Sequence, residues 1–394
     1  MDFYDRALEL NSELIENRRF LHRHAEVGMR LLMTKAFVMG KLKEYGLEPR
    51  SCGEGVTAVL GDGKGKVLLL RADMDALPMP EESGLPFACP TGDAAHACGH
   101  DCHTAMLLTA AKMLKECEKD IHGTVKFMFQ PAEETLKGCK HMINHGILEN
   151  PRVDAALAYH VGAGKLPLGV FLYNGIGTMM YSTCMFRIHI KGKGSHGAYP
   201  DQAIDPIKIG AHIFIALQEA AAAERERGQD CVVTIGRFEA GSAPNVIPEN
   251  AMIEGSIRAS KAVMQERLVR QMKAIVAEKA NQFGGSAKVE ELSSVPPLIC
   301  DKDMVEEIVG YMQELQIPNT EPASDVTAAA SEDFAVISER VPSVFIYLSA
   351  GFPDARGDAA AHNPKVIFNE EVLPIGAAYL AHCAVRWLDT HKND

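Results

Sequence analysis

Val125-Lys126-Phe127-Met128-Phe129-Gln130-Pro131-Ala132-Glu133-Glu134 is a short apolar run that breaks at a proline and ends in two adjacent carboxylates. Such a run, too short for a buried helix and bounded by a turn signal, reads as a buried strand. Three other polar motifs share its placement. Asp73-Met74-Asp75 follows an expected strand at Val67–Leu70, His160 ends one at Val153–Tyr159, and His362 comes a loop's length after Ser343–Leu348. In open α/β sheets ligands bind beyond the carboxyl ends of the strands, so motifs scattered along the chain are expected to converge.

Outward from this frame, amphipathic helices are expected at Tyr4–His22 and Leu31–Tyr45, the second stopped by Gly46. Strands at Val56–Leu60 and Val67–Leu70 are joined by the turn-like Gly61-Asp62-Gly63-Lys64-Gly65. A helix is expected at His103–Cys117, with Asp101 and Thr104 available to its N-terminus. The middle third changes character: strand Ser182–Ile190, helix Ala203–Glu224, strands Cys231–Phe238 and Ala251–Ile257, helix Lys261–Gln282 and strand Ala287–Leu292. That β-α-β-β-α-β order predicts a ferredoxin-like sandwich. Gly162–Gly177 and Ser293–Pro297 flank it as expected hinges or linkers. Helix Met304–Leu315, strand Ser343–Leu348 and helix Glu370–Asp389 then return to α/β style. The expected division is 1–180 plus 295–394 as a discontinuous catalytic domain, with 181–294 inserted.

The chain has 394 residues, a formal net charge of −12 and no basic stripe, which argues against a nucleic-acid partner. It shows no charged-then-apolar leader and no apolar run of membrane-spanning length, so a cytoplasmic protein without a membrane partner is expected. Ten cysteines in so long a chain are not a disulfide framework. Cys52, Cys117, Cys184, Cys231, Cys300 and Cys383 read as scattered thiols, mostly buried.

His96-Ala97-Cys98-Gly99-His100-Asp101-Cys102-His103 is different, because it packs five soft or borderline metal ligands into eight positions. Cys98, His100, Glu134, His160 and His362 together supply five donors, about what a pair of divalent cations needs with positions left open for water and substrate. Paired cations lower the pKa of water and polarise a carbonyl, the two things amide hydrolysis lacks at neutral pH. Glu133, beside a ligand but not one itself, is placed to take the proton and return it to the leaving nitrogen. Asp73 and Asp75 read either as turn caps or as groups that orient a metal-bound histidine, and Asp101 is a third candidate for that supporting role. His96, Cys102 and His103 read as support or packing. A rival reading makes Cys98 or Cys102 a nucleophile activated by His100 or His103, but it leaves Glu133, Glu134 and His160 unused. A non-enzymatic metal-binding module is the other rival, and an intact base at Glu133 argues against it.

The residues quoted above, with Leu21-His22-Arg23-His24-Ala25-Glu26, Arg71–Pro78, Gly192–Ala198, Ala243–Pro248, Ser331-Glu332-Asp333-Phe334 and His362-Asn363-Pro364, resemble the aminoacylase and hippurate-hydrolase type of dinuclear metallohydrolase nearly end to end. Plant auxin–amino-acid hydrolases and related carboxypeptidases share the pattern. The resemblance implies a zinc-exopeptidase-like α/β catalytic domain with an inserted ferredoxin-like (βαββαβ) lid and dimerisation domain. It implies two divalent metal ions (Zn, Mn, Co or Ni) on Cys98, His100, Glu134, His160 and His362, with Glu133 as general base and acid. It further implies that His196 stabilises the oxyanion, typically at the partner subunit's centre, and that Asn245 and Arg258 hold substrate. The implied activity is cleavage of N-acetyl- or N-aroyl-amino acids by a homodimer, with metallo-carboxypeptidase or dipeptidase action as the alternative. Cys102, Gly162-Ala163-Gly164-Lys165 and Ala330 depart from the usual pattern. From these departures we expect a second thiol beside the metals, and changes that bear on the substrate rather than on the reaction.

Overall fold

The computed structural model describes residues 1–61 and 64–392. Its first compact unit comprises Met1–Met179, Ile299–Val326 and Asp333–Asp394; the second comprises Met180–Leu298 and Thr327–Glu332. The expected insert 181–294 did not include the Thr327–Glu332 segment.

An eight-stranded sheet organises the first unit, in the order Arg50–Cys52, Gly55–Leu60, Thr124–Gln130, Val67–Asp73, Ala155–Gly162, Ser343–Ser349, Val170–Leu172 and Glu321–Ala323. The four strands Thr124–Gln130, Val67–Asp73, Ala155–Gly162 and Ser343–Ser349 are mutually parallel. The first three are buried at every position, which is why they read as apolar runs rather than alternations. Lys126 is tolerated there because its Nζ donates to the carbonyls of Glu149 at 2.6 Å and Pro151 at 3.3 Å. Helix His100–Glu116 is buried along most of its length and packs against Asn11–Arg23 and Val372–Thr390.

Several expectations shift. The first helix is two, Phe3–Glu9 and Asn11–Arg23, broken at Leu10. Gly55–Leu60 and Val67–Asp73 are not neighbours: Thr124–Gln130 lies between them. Of the turn expected to join them, Asp62 and Gly63 lie outside the described residues. Gly162–Gly177 is no simple linker, since it carries the sheet strand Val170–Leu172. Ser293, Ser294 and Val295 belong to a strand, Ser286–Val295, that continues past a bulge between Glu291 and Ser293. All ten cysteines are free, and only Cys117 is not buried. Among the described residues, no helix is long and apolar enough to cross a membrane.

The second unit is the ferredoxin-like sandwich. Its antiparallel sheet runs Cys231–Ala240, Asn250–Ala259, Ser182–Lys191, Ser286–Val295, and helices Pro206–Glu226 and Ala262–Gln282 pack on it. Phe186, Ile188, Ile190, Ile213, Leu217, Leu268 and Met272 form its core. Asp205 caps the first helix by accepting from the Ile207 N–H at 2.9 Å, with Pro206 opening it.

A buried ionic cluster ties helix Asn11–Arg23 to the start of His100–Glu116. Asp101 accepts from Arg18 Nε at 2.9 Å and from His22 Nδ1 at 2.8 Å, while His22 Nε2 donates to Glu81 at 2.9 Å. Burial pulls His22 down, but Asp101 and Glu81 outweigh it and raise its pKa to about 9. The folded value lies above the unfolded one, so this stabilisation is complete below pH ~6.5 and is lost as pH rises through about 9. We expect the wild-type protein to lose on the order of 3 kcal/mol of unfolding free energy across that window. His22→Gln should be less stable at pH 6.5 and flatter between the two pH values, as read from denaturant midpoints.

Candidate metal centre

The parallel strands end on one side of the sheet, and there the sequence places its polar residues. Past Gln130 the chain turns at Ala132, whose φ of 56° lies in the left-handed region. The turn directs two successive N–H groups at one carboxylate: Glu133 N donates to Asp75 Oδ1 at 2.9 Å and Glu134 N to Asp75 Oδ2 at 3.2 Å. Helix His100–Glu116 starts earlier than expected, at His100, because Gly99 adopts φ 92° immediately before it. His100 Nδ1 donates to the Asp75 carbonyl at 2.8 Å, leaving Nε2 to face inward. His160 lies within strand Ala155–Gly162 rather than at its end. His362, at φ 65°, is pinned by its N–H donating to Ala97 O at 2.8 Å.

These side chains converge. Donor atoms of Cys98, His100 and His160 lie within 4.8 Å of one another, as do those of Cys98, Glu134 and His362, and those of His100, Glu133 and Glu134. Cys98 Sγ is 3.4 Å from His160 Nε2, and His362 Nε2 is 3.5 Å from Glu134 Oε2. His100 Nε2 and Glu134 Oε1 are buried and make no hydrogen bond. Buried polar atoms rarely go unpaired without a partner such as water or an ion.

The electrostatics fit the same reading. Burial pushes the Cys98 thiol far up despite His100 beside it. Burial, together with Asp75 and Asp73, raises Glu134 to about 7 against the pull of His100. His160 is driven well below its ordinary value, first by burial and then by His103, so its imidazole is neutral. Its Nδ1–H donates to Val161 O at 2.8 Å, which leaves a lone pair on Nε2 toward Cys98. His100 differs: burial is outweighed by Asp73 and Cys98, which raise it well above its ordinary value, and its Nε2 lies 3.7 Å from Asp73 Oδ2 and 3.8 Å from Glu134 Oε1. A thiol, a carboxylate and imidazoles gathered this closely form a donor set suited to divalent cations. Cys98, His100, Glu134, His160 and His362 therefore fit the group that the sequence implies.

Support comes from Asp73 and His103, named for such a role in the sequence, and from partners that were not. Asp73 accepts from Arg71 Nη1 at 2.7 Å and from His103 Nδ1 at 2.5 Å, and His103 Nε2 accepts from the Val161 N–H at 2.7 Å. Arg71 also donates to Gln130 and to Asp333. Arg71, just past the expected strand Val67–Leu70, and Gln130 were given no role from the sequence; the observed strand continues to Asp73 and brings them together. Asp101 takes no part at the centre; its carboxylate is turned to Arg18 and His22, and it caps no helix end. Cys102 is likewise turned away, fully buried beside Arg18 and Asp101 with a thiol pushed well up by burial. The expected second thiol at the metals is thus absent, and oxidation there is disfavoured. His96 is buried with neither ring nitrogen hydrogen-bonded, its pKa lowered by burial to about 3.

His196, Asn245 and Arg258 belong to the second unit. Ser195–His196 pairs with Val246–Ile247, and Gly197 N donates to Asn245 O at 2.8 Å, so His196 and Asn245 occupy adjacent exposed positions. Arg258 is half-buried, with Nη1 donating to Ser331 Oγ at 2.8 Å and to Ala329 O at 3.3 Å. Burial alone shifts its pKa, downward.

The family model described as peptidase family M20/M25/M40 matches residues 69–386. The chain is 32% identical over 394 residues to an N-acetyl-L-cysteine deacetylase of Bacillus subtilis, covering 98% of this chain and 90% of that protein. It is 33% identical over 397 residues to the hippurate hydrolase of Campylobacter jejuni, covering 98% and 100%. Among solved structures it is similar to a Bacillus subtilis protein described as a dinuclear metal-binding peptidase of the M20 family. That likeness has a TM-score of 0.78 and 30% identity, covering 97% of this chain and 99% of the other.

Proposed function

The chain belongs to peptidase family M20/M25/M40 and is a metal-dependent hydrolase acting on amides, and on that premise we propose that it cleaves N-acyl-amino acids to a carboxylic acid and a free amino acid. The observation that carries this reading is the convergence of Cys98, His100, Glu134, His160 and His362, with His100 Nε2 and Glu134 Oε1 buried without a hydrogen bond and Glu133 in the same cluster. We assign those five residues as ligands of two divalent cations. When bound, the cations would supply charge that acidifies water and polarises the scissile carbonyl.

The chain's own groups do the rest. Glu133, fixed through its backbone to Asp75, accepts the proton of the attacking water as oxygen bonds to the carbonyl carbon. It returns that proton to the nitrogen as the C–N bond breaks. His196 is assigned to the carbonyl oxygen, where developing negative charge needs a donor, and Asn245 to holding the substrate. Arg258, whose fork has only neutral acceptors in Ser331 and Ala329, is assigned to the substrate carboxylate.

A homodimer is part of the proposal. Edge strand Cys231–Ala240 exposes Val232 and Phe238, and helix Pro206–Glu226 exposes Ile207, Phe214 and Ile215. An unpaired edge with apolar side chains suits pairing with a second copy. Mixing Glu133→Gln and His196→Ala subunits should restore partial activity if each centre uses its partner's histidine.

The test of substrate class uses metal-free protein reloaded with single divalent ions and offered N-acetyl-amino acids, N-benzoyl-amino acids, their carboxamides and dipeptides. Hydrolysis of the acyl amino acids, with little of the carboxamides, is expected. Preference for dipeptides would overturn the acylase reading in favour of a dipeptidase.

A further inference from the structure

Strands Ala155–Gly162 and Ser343–Ser349 are parallel neighbours in register, which sets Tyr347 opposite His160. Tyr347 is the one position of Ser343–Ser349 that is not fully buried. Its ring lies parallel to the His160 imidazole, with centroids 5.2 Å apart and planes inclined by 5°. His103 meets the same imidazole edge-on at 4.5 Å. The imidazole is thus held by ring contacts as well as by the Nδ1–H bond to Val161 O.

Gly162 explains how the tyrosine gets there. A Cβ at this position would lie 2.0 Å from Tyr347 Cε1 and 2.8 Å from Cζ. Its φ is not in the left-handed region, so what glycine supplies here is space and not backbone freedom. The ring occupies the place of the missing side chain, and any larger residue would push it off His160. Two separate observations, the stack and the vacated Cβ position, therefore point to one arrangement.

We infer that Tyr347, seated on Gly162, is a positioning residue that fixes the plane of the His160 imidazole and thereby tightens the cation held by His160 and Cys98. The inference rests on the metal-centre assignment above. Groups that orient a metal-bound histidine typically change affinity by roughly 10–100-fold when removed. The flat ring does the holding, so Phe should replace Tyr at this position without loss, whereas Ala should not.

The test reads cobalt binding rather than activity. Metal-free protein is titrated with Co²⁺ against a competing chelator, and the thiolate-to-cobalt and ligand-field absorption bands are recorded. Wild type and Tyr347→Phe should agree within about twofold in affinity and show the same spectrum. Tyr347→Ala should bind roughly 10–100-fold more weakly with shifted bands. Gly162→Ala should resemble it, yet cost less than about twofold when added to Tyr347→Ala, because the ring it displaces is already gone. If Tyr347→Ala does not fold, Gly162→Ala alone decides: wild-type affinity and bands in that variant overturn the inference. So does an equal cost of Gly162→Ala with and without the ring. Wild-type protein that binds no cobalt, or binds it with no thiolate band, would instead sink the metal-centre assignment and this inference with it.

Discussion

Glu133→Gln should cut turnover of an N-acyl-amino acid by roughly 10²–10⁴-fold while leaving the bound metal unchanged. Glutamine keeps the shape and the backbone bond to Asp75 but can neither accept nor return a proton. The Glu133 carboxylate lies in the His100–Glu134 cluster, yet five other donors are available to the cations. Loss of kcat with little change in KM and in metal content is the expected pattern, measured by steady-state kinetics beside elemental analysis. A variant that loses metal together with activity would make Glu133 a ligand, and the assignment of the proton carrier would fall.

The second large effect is expected from removing the cations. Dialysis against a chelator should abolish turnover, and added divalent ion should restore it, because the cations would supply the charge that acidifies the water whose proton Glu133 takes. Cys98→Ala should behave as a partly stripped enzyme even in excess metal, since Cys98 is shared by two of the donor clusters. The rival chemistry, a cysteine nucleophile, predicts the opposite pattern: chelator resistance with sensitivity to thiol alkylation. The geometry already weighs against it. Burial pushes both Cys98 and Cys102 away from the thiolate form, and Cys102 lies beside Arg18 and Asp101.

Much of this was readable before any coordinates. Strands buried on both faces are mostly apolar, so the runs Val67–Leu70 and Val125–Phe129 were legible, and so were the polar residues beyond them. The β-α-β-β-α-β order was legible for a similar reason, as its elements are long and regularly patterned. What escaped depends on contacts between distant segments. Nothing local to residues 55–73 says that Thr124–Gln130 will insert between two strands joined by a short connection. The direction of Cys102 was hidden because a loop reading of residues 98–103 puts every side chain near the metals. A helix beginning at His100 turns Cys102 toward Arg18 instead. Strand Ala155–Gly162 runs past His160 because Val161 and Gly162 still pair with Leu348 and Ser349. The stack on His160 needed that same register before Gly162 and Tyr347 had any meaning together.

The departures noted in the sequence separate in the same way. Ser331, beside the unusual Ala330, accepts from Arg258 within the second unit, so that stretch bears on the proposed carboxylate contact. Gly162 bears on the centre itself.

The most direct measurement is anomalous diffraction from crystals of the reloaded protein, recorded on both sides of the metal's absorption edge. Two peaks per chain are predicted, each within bonding distance of donors drawn from Cys98, His100, Glu134, His160 and His362. Peaks elsewhere, or a cavity between those five side chains filled only by water at saturating metal, would contradict the account.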